Sequence, residues 1–301
     1  MRYGLPYKGS KNSIAQKIVG QLPEADVLVD LFAGGGAITH CALTNGKYKR
    51  VIMNDLNAEA IQMFQDAVNG KYRKETRWIS HDDFFRLKEN EWYVKLCWSF
   101  SNDGHSYLYG KHIEPWKKAL WYARRLNDCS LLEEMGIHSD GSKADIKAHT
   151  AEYREKYIEW YGQNVDANLQ SLQSLESLER LQSLERLQSL QSLERLEFHV
   201  GDYQDVPIPD GAVVYCDIPY KGTWNKYSKQ KSFDYERFYE WAAQRDDVFI
   251  SEYDMPEPFV EIWRVEKAVL CNNDGTHGTK AEKLYTTQAT IEKYKHNKLY
   301  W

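Results

Sequence analysis

The chain has 301 residues, 42% of them apolar and 28% charged, a composition typical of a globular protein with a large core. Its net charge of −5 does not by itself indicate a polyanion-binding surface. The sequence contains no run of 18 apolar residues and its first residues lack an apolar signal region, so we expect neither membrane insertion nor secretion. The five scattered cysteines form no CxxC pair, which argues against a disulfide framework or a zinc site and favours a cytoplasmic location.

The first 64 residues alternate between strand and helix patterns. An apolar strand at 26–33 ends at three glycines, Gly34 to Gly36, and a helix follows. A second strand, 50–53, leads to Asp55, and the next helix has Asn57 as its predicted N-cap. This order is typical of the first half of a doubly wound α/β domain.

The middle of the chain has a different character. Residues 65–168 are rich in Trp, Tyr, Lys and Glu, which predicts a mostly helical region. In residues 169–197 leucine recurs at every third position. The composition strongly favours a helix. On an α-helix, however, that period turns each leucine about 60° from the last, so a three-residue coil or a solenoid-like stack would align the leucines better. We interpret the tract as a low-complexity spacer without chemistry.

The α/β pattern resumes at residue 198. Strand-like runs end near 200 and 216, a helix begins near Asp234, and three further strand-like runs follow. We therefore predict a discontinuous sheet domain formed by residues 1–64 and 198–301, with residues 65–197 inserted.

Two strand ends carry residues suited to ligand binding. Gly34, Gly35 and Gly36 allow a tight turn before a helix N-terminus, although their spacing is not that of the dinucleotide motif GxGxxG. Asp55 ends the next strand, where a carboxylate accepts hydrogen bonds from ribose hydroxyls. Together they favour a nucleoside cofactor over a plain turn.

The segment Asp217-Ile218-Pro219-Tyr220 follows a buried strand and can be an ordinary turn. It also suits one chemistry, the methylation of an exocyclic base amine. Asp217 and the Ile218 carbonyl would each accept one N–H, Pro219 would restrain the loop, and Tyr220 would stack on the base. Such a base has to leave its duplex first.

With these residues the sequence resembles a Dam-type DNA adenine N6-methyltransferase, the S-adenosylmethionine-dependent class with an Asp-Pro-Pro-Tyr motif. The resemblance implies a Rossmann-like methyltransferase sheet with a mostly helical target-recognition region at 65–168. It covers nearly the whole chain except the leucine tract, and the combined pattern is more specific than any single motif. In this sequence Ile218 replaces a proline, so we expect a less rigid loop rather than lost activity.

The resemblance also implies site residues. The segments PYKGSK, DLFAGGG, NDLN and VGDYQDV match cofactor segments of the family, and DGTHGTKAEKLY matches its C-terminal segment. The implied S-adenosylmethionine-binding residues are Tyr7, Lys11, Asp30, Phe32, Gly34, Gly35, Gly36, Asp55, Asp202 and Tyr203.

Double-stranded DNA is the implied partner, and local positive charge supports it. Four lysines lie in 221–231, and a second basic cluster spans 111–125. A solvated helix face explains either cluster alone, and an Asn-Asp-Gly turn explains the loop at 102. The candidate DNA-binding residues are Asn102, Tyr107, Tyr109, Lys111, Arg124, Lys221, Lys226 and Lys280.

Other functions stay open at this point. One alternative is an enzyme that methylates another planar amine, such as cytosine N4 or an adenine in RNA. The other alternative is a catalytically weakened DNA-binding relative. The resemblance allows three biological roles: regulation, phage self-protection, or partnership with a restriction enzyme. We expect a bacterial or phage-infected cell as the setting.

Overall fold

The computed structural model describes residues 3–162, 169–191, 194–221, 233–269 and 278–294. The chain forms two compact units. The first comprises Met1–Gly4, Ser10–Phe64 and Leu190–Trp301, and the second comprises Leu5–Gly9 and Gln65–Ser189. The division after Phe64 falls where the sequence predicts the insertion to begin.

Seven strands and thirteen α-helices occur within the described residues. The strands are β1 (Val27–Asp30), β2 (Arg50–Asp55), β3 (Leu196–Val200), β4 (Val213–Cys216), β5 (Val248–Glu252), β6 (Phe259–Val269) and β7 (Gly278–Thr287). The helices are α1 (Ala15–Gln21), α2 (Ala37–Thr44), α3 (Ala58–Val68), α4 (His81–Leu87), α5 (Trp92–Cys97), α6 (Glu114–Trp121), α7 (Ser130–Glu134), α8 (Lys143–Ala148), α9 (Thr150–Tyr161), α10 (Leu169–Gln173), α11 (Glu176–Leu187), α12 (Tyr235–Ala243) and α13 (Gln288–Tyr294).

The first unit contains a single sheet with strand order β3-β2-β1-β4-β5-β7-β6. The first five strands in this order are parallel, and β7 is antiparallel to both β5 and β6. The order reverses between β1 and β4, which is the topological switch point where open α/β sheets bind ligands. The predicted doubly wound α/β sheet is confirmed.

Apolar strand residues form the core of this unit. Leu28, Val29 and Val213 are fully buried because both faces of a parallel strand are covered. Two helix starts follow the sequence prediction. The Asn57 side chain accepts the Ala60 N–H at the start of α3, and the Asp234 side chain accepts the Arg237 N–H at the start of α12.

The leucine tract differs from the predicted spacer, because most of it packs within the second unit. In α11, Leu181, Leu184 and Leu187 are fully buried and Leu178 is nearly so. Four leucines at period three sweep about half of the helix circumference. The helix accommodates this sweep because its buried surface is wide enough to include Ser177 and Ser183. The tract is also divided into two helices, α10 and α11, so the leucine positions do not rotate continuously around one long helix.

Buried cations join the tract to the rest of the second unit. The Lys117 ammonium, only 2% exposed, donates to the Ser171 and Ser174 carbonyls just where α10 ends. The Arg180 guanidinium donates to carbonyls of Leu96 and Cys97 at the end of α5. Both cations satisfy carbonyls that a helix end leaves without partners. The tract is therefore a structural part of this unit.

We predict that Leu184→Ala destabilises the protein by about 2–4 kcal/mol, because it leaves a cavity among buried leucines. The matched control is Gln182→Ala, an exposed change in the same helix, which we expect to alter stability by less than about 0.5 kcal/mol. Denaturant unfolding followed by far-ultraviolet circular dichroism measures both. Equal stability of the two variants would restore the spacer interpretation.

Candidate active site

The candidate site lies at the carboxyl ends of β1 and β4. Asp30, the last residue of β1, is in register with Tyr215 of β4. The Leu31 N–H donates to the Tyr215 carbonyl at 3.0 Å, so the two chain segments leave the sheet side by side. The structure therefore brings the glycine loop after β1 and residues 217–220 after β4 to one edge, as parallel strands require.

Asp217 forms an ion pair with a buried lysine. The Lys11 ammonium lies 2.8 Å from Asp217 Oδ1 and 3.7 Å from Glu282 Oε2. Lys11 is 6% exposed, and burial alone lowers the pKa of a lysine. Here that effect, the largest single one, is outweighed by the combined influence of Asp217 and Glu282, so the pKa of Lys11 is raised. Lys11 therefore stays charged beside the candidate catalytic carboxylate.

Tyr220 is held by several groups at once. Its hydroxyl donates to Glu282 Oε2 at 2.5 Å, and the Lys11 ammonium lies 4.5 Å from its ring centre. The ring of Tyr253 meets it edge to face, with the ring centres 4.5 Å apart. Burial, followed by the charges of Asp217 and Glu282, raises the pKa of Tyr220 well above its ordinary value. Its hydroxyl therefore remains a donor.

The rest of the loop is restrained from both sides. The Tyr235 hydroxyl of α12 donates to the Pro219 carbonyl at 2.9 Å. The Glu252 carboxylate, 1% exposed at the end of β5, accepts the N–H groups of Lys221 and Tyr253 at 3.0 and 2.7 Å. Burial raises the pKa of Glu252, and these two hydrogen bonds oppose the shift.

Ile218 points into the apolar core and is only 1% exposed. It belongs to the same buried cluster as Val214, Cys216 and Phe238. Packing therefore restrains this position, where the resemblance led us to expect a looser loop because the proline is absent.

The glycine loop is tied to the end of β2 through Asp55. One carboxylate oxygen accepts the Gly34 N–H at 2.7 Å and the other accepts the Asn57 N–H at 2.8 Å. Gly36 adopts a left-handed conformation with φ +67°, and a Cβ there would lie 2.3 Å from the Phe64 ring. Only glycine fits this position without movement of its neighbours.

Asp30 forms hydrogen bonds to the first turn of α2. Its Oδ2 atom accepts the Thr39 N–H at 3.1 Å and the Thr39 hydroxyl at 2.7 Å, which replaces the cap that Gly36 cannot provide. Its Oδ1 atom is buried and has no hydrogen-bond partner among the described residues. Burial raises the pKa of Asp30 to about 7, opposed by the Thr39 hydrogen bonds.

The remaining predicted cofactor residues follow the ends of β1 and β3. Asn54 in β2 donates to the carbonyls of Leu31 and Gly201, and so joins the two loops. The Phe32 and Tyr203 rings lie 5.4 Å apart, and Asp202 pairs with Arg237 at 3.0 Å. Lys11, predicted as a cofactor residue, forms its ion pair with Asp217, and its cofactor contact stays a prediction. Tyr7 belongs to the second unit.

Several predicted DNA-binding residues have internal partners in the second unit. Tyr107 and Tyr109 are buried, and their hydroxyls donate to the Ile79 carbonyl and the Ser177 hydroxyl. The Asn102 amide donates to the Leu96 carbonyl, and Arg124 Nε donates to the Gly141 carbonyl. These contacts give the four side chains structural roles, so we revise their assignment as DNA contacts.

Other candidates remain available to DNA. Lys111 and Lys221 are exposed. Lys226 lies outside the described residues, and Lys280 belongs to β7 but its side chain lies outside the described part of the chain. Fewer side chains of the basic cluster at 111–125 are available to DNA than the sequence predicts. Lys117 is buried, and Arg125 donates to the Glu75 carbonyl and pairs with Glu185.

A comparison with protein families matches the first part of the chain. Residues 7–120 match the D12 class N6 adenine-specific DNA methyltransferase family. This match confirms the resemblance to adenine N6-methyltransferases and the predicted enzyme class. It supports adenine-specific methylation of DNA as the activity, and it ends before Asp217, so the catalytic assignments rest on the site geometry.

The other comparisons add little. No curated protein matches the chain. Among solved structures, the rRNA methyltransferase aviRa from Streptomyces viridochromogenes is 14% identical, covering 93% of this chain and 84% of its own, with a TM-score of 0.35. That similarity is too low to support an argument. Within the described residues, no helix is both long and apolar enough to cross a membrane.

The sequence reasoning missed three residues of the site: Glu252, Tyr235 and Glu282. Glu252 had a usable signal, since a carboxylate ends the strand-like run 248–252 at the same sheet edge as Asp217. Glu282 lies in the segment DGTHGTKAEKLY that the resemblance points to, but its contact with Tyr220 depends on how β7 packs, and the contact of Tyr235 depends in the same way on α12.

We predict that Asp30→Asn stabilises the protein more at high pH than at low pH. The pKa of Asp30 is raised from 3.8 to about 7 on folding, so native-state stability falls as pH rises between these values and then levels off. Asparagine does not ionise, so the variant does not lose this stability as the pH rises. We expect its stabilising effect to be about 2 kcal/mol larger at pH 8 than at pH 5.5.

Denaturant unfolding at the two pH values measures the difference. Asp26→Asn is the control, since that side chain is 73% exposed. The same pH dependence for wild type and Asp30→Asn would contradict the raised pKa.

We also predict that Ile218→Ala lowers the free energy of unfolding by about 2–4 kcal/mol, because the side chain is fully packed. Ile218→Val should cost only about 0.5–1.5 kcal/mol. Thermal and denaturant unfolding of the two variants measure the cost. An alanine variant as stable as the valine variant would show that packing does not restrain this loop.

Proposed function

We propose that the protein transfers a methyl group from S-adenosylmethionine to N6 of an adenine flipped out of double-stranded DNA. The observation that carries the proposal is the Asp217 carboxylate, paired with buried Lys11 at the edge that also carries the glycine loop. A carboxylate has about four acceptor positions, so Asp217 can bind Lys11 and an amine together.

The residues near the glycine loop fit the cofactor. Each Asp55 oxygen accepts one N–H and retains acceptor capacity for a ribose hydroxyl. The Asp30 Oδ1 atom offers a further acceptor, while Phe32 and Tyr203 provide aromatic surface near Asp202. We assign the methionine part to Gly34–Gly36, the ribose to Asp55, and the adenine to these aromatic residues. When bound, the cofactor supplies an electrophilic methyl group on a sulfonium sulfur.

The catalytic loop acts on the target amine by orienting it. The N6 lone pair of adenine is delocalised into the ring, so N6 is a weak nucleophile. Asp217 and the Ile218 carbonyl each accept one N–H, which moves N6 toward a tetrahedral geometry. Held in this way, N6 would accept the methyl group that the bound cofactor supplies, and the proton that N6 releases would pass through the Asp217 carboxylate to solvent. Positioning provides much of the rate, and the carboxylate contributes a factor of roughly 10²–10⁴.

We propose DNA contacts on exposed groups of each unit, taken separately. Lys221 directly follows the catalytic loop, and Lys111 lies in the second unit. Phe100, 62% exposed, adjoins Ser101 and Asn102, which both have positive φ angles. An exposed aromatic residue in such a turn is suited to contact with bases. A cognate restriction enzyme stays a prediction.

Methylation of unmethylated DNA with isotopically labelled S-adenosylmethionine tests this function. We expect N6-methyladenine after enzymatic digestion to nucleosides and chromatography. Labelled N4-methylcytosine, or label in RNA alone, would instead support another planar amine as the substrate. No label in either nucleic acid would favour the weakened DNA-binding relative.

We predict that Asp217→Ala lowers methylation by at least about 10²-fold while S-adenosylmethionine binding, measured by calorimetry, changes little. The control is Asp210→Ala, an exposed aspartate before β4 that should retain full activity. Wild-type methylation by Asp217→Ala would remove this residue from the mechanism.

A further inference from the structure

Glu282 is a buried carboxylate in β7 that contacts two parts of the candidate active site. It is 7% exposed, accepts the Tyr220 hydroxyl at 2.5 Å, and lies 3.7 Å from the Lys11 ammonium through the same oxygen, Oε2. Burial of an ionised carboxylate is costly unless hydrogen bonds and an opposite charge compensate. The Tyr220 hydroxyl and Lys11 provide both.

The contacts of Tyr220 show what its hydroxyl bond does. Lys11 lies near the ring and the Tyr253 ring meets it edge to face. Ring contacts of this kind are favourable over a range of centroid distances rather than at one position. The bond from the Tyr220 hydroxyl to Glu282 is directional and short, so among these contacts it defines where the far end of the ring lies.

We propose that Glu282 is a positioning residue for methyl transfer: by accepting the Tyr220 hydroxyl, it fixes the ring on which the flipped base stacks. This inference rests on the proposed function, since it assigns Tyr220 the stacking role. Glu282 acts through Tyr220 and does not touch the reacting atoms. Its effect should therefore appear in the rate of methyl transfer, while cofactor binding through Asp55 and the glycine loop is preserved.

A different role for Glu282 makes a different prediction. As a counter-ion for Lys11 alone, Glu282 would need its charge and would not need the Tyr220 hydroxyl. Glutamine and leucine separate the two roles. Glu282→Gln removes the charge but keeps an oxygen that accepts the hydroxyl, whereas Glu282→Leu removes both and keeps a similar volume.

The experiment measures single-turnover methylation of unmethylated plasmid DNA with tritiated S-adenosylmethionine, together with calorimetric binding of the cofactor. The variants are Glu282→Gln, Glu282→Leu, Tyr220→Phe and the double variant Tyr220→Phe/Glu282→Leu. Glu261→Gln is the matched control, because the ion pairs of Glu261 are with Arg264 and Lys283 on β6 and β7.

We expect Glu282→Gln to stay within about threefold of the wild-type rate, because glutamine restores the acceptor. Glu282→Leu and Tyr220→Phe should each lose at least about tenfold in rate with cofactor affinity unchanged. The double variant should be no slower than the slower single variant, because both changes remove the same hydrogen bond.

Three results would overturn the inference. Equal losses for Glu282→Gln and Glu282→Leu, with Tyr220→Phe unaffected, would assign Glu282 to Lys11 alone. Losses that multiply in the double variant would show that the two residues act independently. A wild-type rate for Glu282→Leu would exclude any positioning role.

Two further outcomes are kept apart by the same assay. If Glu282→Leu does not fold, Tyr220→Phe tests the inference in its place, because it removes the same hydrogen bond by deleting a single oxygen atom. A wild-type rate for Tyr220→Phe then overturns the inference. If the wild-type chain forms no N6-methyladenine, the proposed function fails. If the wild-type chain forms N6-methyladenine and Tyr220→Phe is fully active as well, only the role of Glu282 is contradicted.

Discussion

The candidate active site depends on the ion pairs that the buried Lys11 ammonium forms with two carboxylates. A lysine that is 6% exposed stays charged only where opposite charges compensate its lost hydration, and Asp217 and Glu282 do so. This requirement joins three segments that are far apart in sequence: the N-terminal segment, the loop after β4, and β7. Lys11 is the one positive charge among these three groups, so its loss would leave two carboxylates side by side, whereas loss of either carboxylate still leaves one opposite charge beside Lys11. The site is therefore a single electrostatic unit rather than a set of separate residues.

The fold was predictable where local pattern and strand topology agree. Apolar runs before Gly34, Asp55 and Asp217 indicated strands, and parallel strands place their carboxyl ends at one edge. These three positions are therefore the ones that sequence reasoning brought together correctly. Glu282 was beyond that reasoning because β7 lies antiparallel between β5 and β6, and no local signal specifies that insertion.

The second unit shows where charge patterns mislead. Lys117 in a basic cluster looks the same in sequence whether it binds phosphate or the carbonyls at a helix end. The structure buries it against the Ser171 and Ser174 carbonyls, and Arg180 has the equivalent role at the end of α5. Sequence spacing alone cannot distinguish these uses, because the partner carbonyls of Lys117 lie more than fifty residues away. The leucine tract was misread for the same reason, since its burial depends on those distant helices.

Ile218 shows how a loop keeps a defined geometry without the proline of the Asp-Pro-Pro-Tyr motif that it resembles. Proline restricts one backbone angle, whereas an isoleucine that is 1% exposed restricts the same residue through its packing. The next three residues are each held as well: Pro219 by Tyr235, Tyr220 by Glu282 and Lys221 by Glu252. With residues 218–221 all restrained, the Asp217 carboxylate and the Ile218 carbonyl keep a defined geometry relative to each other. The rigidity expected from one proline ring is thus distributed over core packing and hydrogen bonds to neighbouring elements.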